Sequence, residues 1–600
     1  MSKKIAHAKL PDKSLNDLPN WDLSDLYPGT TSIELAQELK DVSARASSFK
    51  NKYKSKVTEL SGVELAHAII IYEKIDETAN RIMSYSQLTY SCDMLNTETG
   101  QFYQSMQEAV TEINSNILFF ALEINMIEEN DLQEKLASPE LRHYQPWLRD
   151  LRVFQAHQLT DELEQLLLEK NISGRAAWVR LFDETVAGLR FSIGGSDLNI
   201  TEALDKLSDQ NGKTREKAAK EIASVFNDNI KLFSLITNTL SKDKSIEDNW
   251  RNYTKPISAR NRINHVEDEV VDALVECVTS NYQNLAHRYY SLKATWMGVK
   301  KLNYWDRNAP LPNDDDMVIG WSEAKDIVLG AYDEFSPTLA NIGEQFFKKN
   351  WIDAAPCAGK ASGAFSHPTV PSVHPYILLN YQGKIRDVMT LAHELGHGIH
   401  QVLAGCQGNL MADTPLTLAE TASVFGEMLT FQSLLKKNKD PGSRRLMLAS
   451  KVEDMLNTVV RQIAFHEFET SIHNKRQAGE LSAEAIGDIW LNVQKKSLGP
   501  AVKLHREYNV FWAYIPHFIH SPFYVYAYAF GDCLVNSLYA AYKESESDFS
   551  IKYINMLKAG GTLRHKELLA PFNLDASNPA FWAKGLSVIE NFIGELDKEN

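Results

Sequence analysis

The stretch Leu391-Ala392-His393-Glu394-Leu395-Gly396-His397 carries an H-E-x-x-H pattern, and local structure and chemistry can both be read outward from it. From Asp387 to Leu403, apolar residues recur at three- and four-residue spacing: Val388, Leu391, Ala392, Leu395, Ile399, Val402 and Leu403. That spacing predicts an amphipathic helix with one buried stripe, leaving His393, Glu394, His397 and His400 on the remaining arc. Histidines four apart project from one helical face about a turn apart, so both imidazoles can reach one metal ion. The glutamate beside the first histidine then stands next to any water on that ion.

A catalytic zinc takes three protein ligands and keeps a fourth position for water. His400 lies only three residues beyond His397 on the same helix, and three ligands from one straight helix suit a tetrahedral ion poorly. Contact with a ligand or substrate, or simple packing, are the readings left for it. The longer H-E-x-x-H-x-x-G-x-x-H pattern is absent, since Leu403 occupies its last position. After the loop Ala404 to Pro415, LTLAETASVFGEMLTFQSLL predicts a second helix from Leu416. Glu420 sits there among Ala, Thr and Ser, neighbours small enough for a close approach to the first helix. It is the candidate third ligand, and Glu427, seven residues on and on the same face, is a candidate partner for a ligand histidine. The donor set calls for one Zn²⁺ per chain.

The rest of the 600 residues reads mainly as helix. Residues 1–195 form an almost wholly helical N-terminal region closed by a turn at Phe191 to Ser196, and residues 196–595 form the metal-bearing domain. Asn308 to Asp316 reads as a loop. Between Cys357 and Tyr381 the Gly-, Ser- and Pro-rich text predicts a loop and a short strand or hairpin before the motif helix. Its Gly359-Lys360 is no phosphate loop, because Ala361 stands where Ser or Thr is required.

A net charge of −15 argues against nucleic acid or an anionic membrane as the main partner. Five scattered cysteines without C-x-x-C suggest neither a disulfide framework nor a thiolate metal site. The first residues lack an apolar signal core, and no run is long enough to span a bilayer, so a cytoplasmic location is expected.

Several segments together resemble the oligoendopeptidase F group of the thimet-oligopeptidase-like zinc metallopeptidases. They are His393 to His400, Leu418-Ala419-Glu420-Thr421-Ala422-Ser423, His374 to Tyr381, Ile515 to Phe530, Trp21 through Pro28, and Tyr304-Trp305-Asp306-Arg307. The resemblance implies an elongated, mainly α metallopeptidase of zincin type, with a deep central channel and a small β-hairpin or sheet beside the active-site helix. It implies His393, His397 and Glu420 as metal ligands, and Glu394 as general base. The substrates would be short unstructured peptides, cleaved at internal bonds. It also implies a His and Tyr cluster contacting substrate and oxyanion, here His517, Tyr528 and Tyr524, with an aromatic core segment as the competing reading of the tyrosines. Oligomeric state stays open. A zinc carboxypeptidase or dipeptidase, holding a terminal carboxylate with Arg461 or Lys503, is the alternative activity. A non-catalytic peptide-binding protein is the alternative class.

Overall fold

Helices begin where a capping side chain precedes an apolar repeat. Ser61 and Glu64 form a reciprocal capping box at the start of one long helix, and Asn96 accepts the Glu98 and Thr99 amides at the start of the next. With α1 as Ile33–Tyr53, α2 as Gly62–Cys92 and α3 as Thr97–Asn125, these three pack around Phe49, Tyr53, Phe119 and Phe120. The computed structural model of the chain describes residues 18–171, 173–311, 318–361, 363–544 and 548–598. It is 71% helical, as a mainly α fold requires. The start of the chain and residues 312–316 of the expected 308–316 loop lie outside the described residues.

The turn expected at Phe191 to Ser196 is the tip of a hairpin. Strands β1 (Phe191–Ile193) and β2 (Ser196–Leu198) pair antiparallel across Gly194-Gly195, both at positive φ. Farther on, β3 (Leu302–Asn303) pairs with β7 (Val502–Lys503). Three short strands, β4 (Ile352–Asp353), β5 (Phe365–His367) and β6 (Tyr376–Leu378), form a sheet in the order β4-β6-β5. The strand expected before the motif helix is thus β6, and it is the central one, paired parallel with β4 and antiparallel with β5.

A strap of early sequence crosses this sheet. Ala354 N–H donates to the Pro19 carbonyl, Asp22 N–H to the Asn350 carbonyl, and the Tyr376 hydroxyl to the Asp22 carbonyl at 2.7 Å. The Trp21 ring packs edge-on to Tyr376.

The site is framed by two helices pressed together. The motif helix, Ile385–Ala404, lies against the glutamate helix, Leu416–Lys437. Gly396, between the two motif histidines, sets their separation: a Cβ there would stand 2.5 Å from the Ala422 carbonyl oxygen and 2.7 Å from Ser423 Cα. Tyr332, on the helix Trp321–Phe335, pins the pair from behind. Its hydroxyl donates to the Ala392 carbonyl and fills the space that Gly426 leaves open. Of the apolar stripe read from the sequence, Val388, Leu391, Ala392, Leu395, Ile399 and Leu403 are buried and Val402 is partly exposed.

Candidate metal centre

Close helix packing delivers three ligand atoms to one point. His393 Nε2 lies 3.3 Å and His397 Nε2 3.5 Å from the same Glu420 oxygen, Oε2, and the three donor atoms fall within 4.8 Å of one another. Ligands at roughly 2.0–2.1 Å around a tetrahedral ion are about 3.3–3.4 Å apart, so the spacing fits a zinc-sized cation. Two imidazoles and a carboxylate are also a donor set that zinc accepts. His393, His397 and Glu420 are the sole such group among the described residues.

Each ligand is oriented by a neighbour. His393 Nδ1 stands 3.2 Å from Glu427 Oε2, and the other Glu427 oxygen accepts from Lys451 Nζ at 2.5 Å. Against burial, which pushes it up, Lys451 and His393 hold the Glu427 carboxyl down at about 2. The His397 ring lies near the Ala419 carbonyl, in the turn that carries Glu420, and that carbonyl favours its protonated form. Ser423 Oγ donates to Glu420 Oε2 at 2.6 Å. Such partners fix ring orientation and ligand basicity. Lys451, from the helix Pro441–Thr458, was not legible beforehand, because a lone lysine in an amphipathic repeat carries no signal of its partner. Ser423, three residues past Glu420, was legible only as a small neighbour.

Glu394 is 8% exposed. Burial pushes its carboxyl up to about 7; opposing this, the His393 charge and the Ser366 N–H of β5 favour the ionised form. His400 is buried, feels the charge of His397, and lies outside the ligand group.

The segment 515–530 divides by side. His517, Tyr524 and Tyr528 are half-buried and meet as a cluster: His517 Nε2 is 3.2 Å from the Tyr528 hydroxyl, and the Tyr524 and Tyr528 rings are 5.2 Å apart. Burial, then Tyr524 and Glu420, push the Tyr528 hydroxyl up to about 12, which places Tyr528 within electrostatic reach of the ligand Glu420. Burial lowers His517, favouring a neutral imidazole. Tyr526 belongs to the core, its hydroxyl accepting from Asn264 Nδ2 at 2.8 Å. Of the two cations considered for a terminal carboxylate, Lys503 is exposed on β7, while Arg461 stacks 5.1 Å over Phe465 and its charge reaches His517.

Comparison with known proteins agrees with this geometry. Residues 323–588, which hold both helices and the tyrosine cluster, match peptidase family M3, and residues 123–191 match the oligopeptidase F N-terminal family. Oligopeptidase PepF of Bacillus subtilis is 26% identical over 100% of this chain and 90% of its own length. A crystal structure of oligoendopeptidase-F from Enterococcus faecium superposes with a TM-score of 0.70 at 23% identity, covering 94% of this chain and 97% of that one. A crystal structure from Chlamydophila abortus, of a chain named as a candidate peptidase, does so with a TM-score of 0.85 at 23% identity over 97% and 98%. With family matches on both halves and relatives along the whole length, the chain belongs to peptidase family M3, in its oligopeptidase F branch, and is a metallopeptidase.

Proposed function

We propose that this chain is a zinc endopeptidase that hydrolyses internal bonds of short unstructured peptides, with Glu394 as general base. The observation that carries the reading is the convergence of His393, His397 and Glu420 at 3.3–3.5 Å with the buried Glu394 carboxylate beside them. A zinc ion held by those three residues supplies an acidified water and a Lewis acid for the scissile carbonyl. Glu394 takes a proton from the attacking water at its carboxylate and returns it to the leaving amine. Tyr528, with His517 against its hydroxyl, donates a hydrogen bond to the developing oxyanion. Glu427 and Lys451 keep His393 in the tautomer that presents Nε2 forward.

Peptide alignment belongs to β5 rather than to β6. β6 has a strand on either side, whereas β5 is the outer strand of its sheet and turns Ser366 N–H toward Glu394. No helix of the described residues is long and apolar enough to cross a membrane, and all five cysteines are unpaired. Free thiols suit action in a reducing cytoplasm.

The deciding experiment is Glu394→Gln. It should keep metal content near one zinc per chain while kcat falls by about 10³-fold or more. Activity near that of the wild type would sink the assignment. Mass spectrometry of products from an internally quenched peptide should give internal fragments. A ladder losing residues from one end would mean an exopeptidase.

A further inference from the structure

Between the short helix that carries His517 and the helix that follows Tyr524, the chain reverses through Ser521-Pro522-Phe523-Tyr524. Tyr524 N–H donates to the Ser521 carbonyl at 3.1 Å, with Pro522 second and Phe523 third, the latter at a φ of 59°. Proline followed by a positive φ marks a type II turn, which ordinarily places glycine third. For a bulky side chain that backbone is strained. Glycine would end the strain but forfeit the ring, which is 1% exposed and packs 4.9 Å from the His473 ring. A type I turn would also spare Phe523 the positive φ, and it differs mainly by rotation of the peptide unit joining Pro522 to Phe523.

That peptide unit is gripped at both ends. Its carbonyl, on Pro522, accepts from Arg260 Nε at 3.3 Å. Its N–H, on Phe523, donates to Glu469 Oε1 at 2.9 Å. Both bonds require the type II orientation, because the type I rotation points the carbonyl and the N–H the opposite ways. Arg260 comes from the helix Ser258–Ile263 and Glu469 from the helix Val460–Gln477. Upstream of the turn, Arg175 Nη2 donates to the Ile519 and His520 carbonyls at 2.9 and 2.8 Å. Glu469 is 2% exposed, and burial pushes its carboxyl up to about 8 against the Phe523 N–H and the charges of Arg260 and Lys244. At neutral pH it is mainly an uncharged acceptor, a part that a side-chain amide also plays.

We propose that Glu469 is a positioning residue for the reaction: with Arg260, it holds the strained turn and so sets Tyr528 against His517. The turn stands between the two donors in the chain. His517 Nε2 lies 3.2 Å from the Tyr528 hydroxyl, the Tyr524 and Tyr528 rings are 5.2 Å apart, and the Arg260 guanidinium is 5.9 Å from the Tyr524 ring. Released from Glu469, the turn relaxes at Phe523 and the rings on either side shift with it. A catalytic group displaced by about 1 Å loses on the order of 10²-fold in rate, so a fraction of that movement is costly. The inference rests on the reading of Tyr528 as oxyanion donor and adds what keeps that donor in place.

The test is made on the full-length zinc enzyme with an internally quenched peptide. Glu469→Leu keeps the volume and removes the acceptor; kcat should fall by about tenfold while KM and metal content hold. Glu469→Gln, which offers an oxygen to the Phe523 N–H, should rescue most of that loss. In a Tyr528→Phe background the leucine substitution should cost almost nothing further, since both changes act through one donor. Arg260→Met takes the other bond from the same peptide unit and should lower kcat in the same manner; it carries the test if the leucine variant does not fold. An unchanged kcat in Glu469→Leu, or in Arg260→Met where it stands in, overturns the proposal. So does a glutamine variant as impaired as the leucine one, or a full second loss on top of Tyr528→Phe, which would make Glu469 a general brace of the fold. A Tyr528→Phe enzyme with undiminished kcat overturns the donor reading itself, and this proposal with it, so the two failures are told apart.

Discussion

The proposed ligand set and the proposed donor cluster are built differently. His393, His397 and Glu420 sit on two long helices pressed to contact at Gly396, each ligand backed by a partner such as Glu427, Ala419 or Ser423. His517 stands on the four-residue helix His517–His520, and Tyr524 precedes the helix Tyr526–Glu544, in a stretch where Phe523 adopts a positive φ. The former is backed at its ligand atoms; the latter is tied through its backbone, by Arg175, Arg260 and Glu469, and leaves its rings half-buried. The contrast suits a centre that must hold a metal in one geometry while its donors adapt to different peptides.

Four measurements would break or sharpen this contrast. The largest effect is expected from Glu420→Ala, which should leave purified protein with little bound metal and abolish peptide cleavage. Retained zinc would show that the two histidines suffice and that the helix pair is not the metal frame. Tyr528→Phe should lower kcat by about 10²-fold, the scale of a lost oxyanion donor, with metal content unchanged. Metal loss in that variant would mean the two regions are one unit. Lys451→Met should weaken metal binding by roughly 10–100-fold, measured by competition with a chelator, because Glu427 loses the charge that holds it. Unaltered affinity would show that Glu427 orients His393 unaided. Smallest, Tyr526→Phe removes only the Asn264 bond and should cost about 1 kcal/mol of stability in denaturant titration, with kcat retained. A fall in kcat would move Tyr526 from the core to the site.

Much of the rigid half was legible as sequence, and the adaptable half much less so. H-E-x-x-H and the small residues around Glu420 are local patterns whose helical geometry follows from spacing, so the buried stripe and the second helix could be read directly. The N-terminal turn was legible too, through Gly194-Gly195. Partners far apart in the chain were not. Lys451 meets Glu427 from a third helix, and Arg260 meets Pro522 from 262 residues away. Nor could alternation alone say that Tyr526 turns inward while Tyr524 and Tyr528 turn outward, since that depends on Asn264. The central place of β6 was hidden likewise, because β4 and β5 are too short to announce their pairing.

The strap over the small sheet has a consequence for biosynthesis. The Asp22 carbonyl and the Tyr376 hydroxyl it meets are 354 residues apart. At ~5–20 residues per second, the ribosome needs on the order of twenty seconds to a minute to deliver the second after the first. Throughout that interval Trp21 lacks its Tyr376 and Phe365 partners, and the nascent chain carries an aromatic side chain with no sheet to cover. Closure of the strap is therefore a late event in the birth of the molecule, following synthesis of nearly two-thirds of its length.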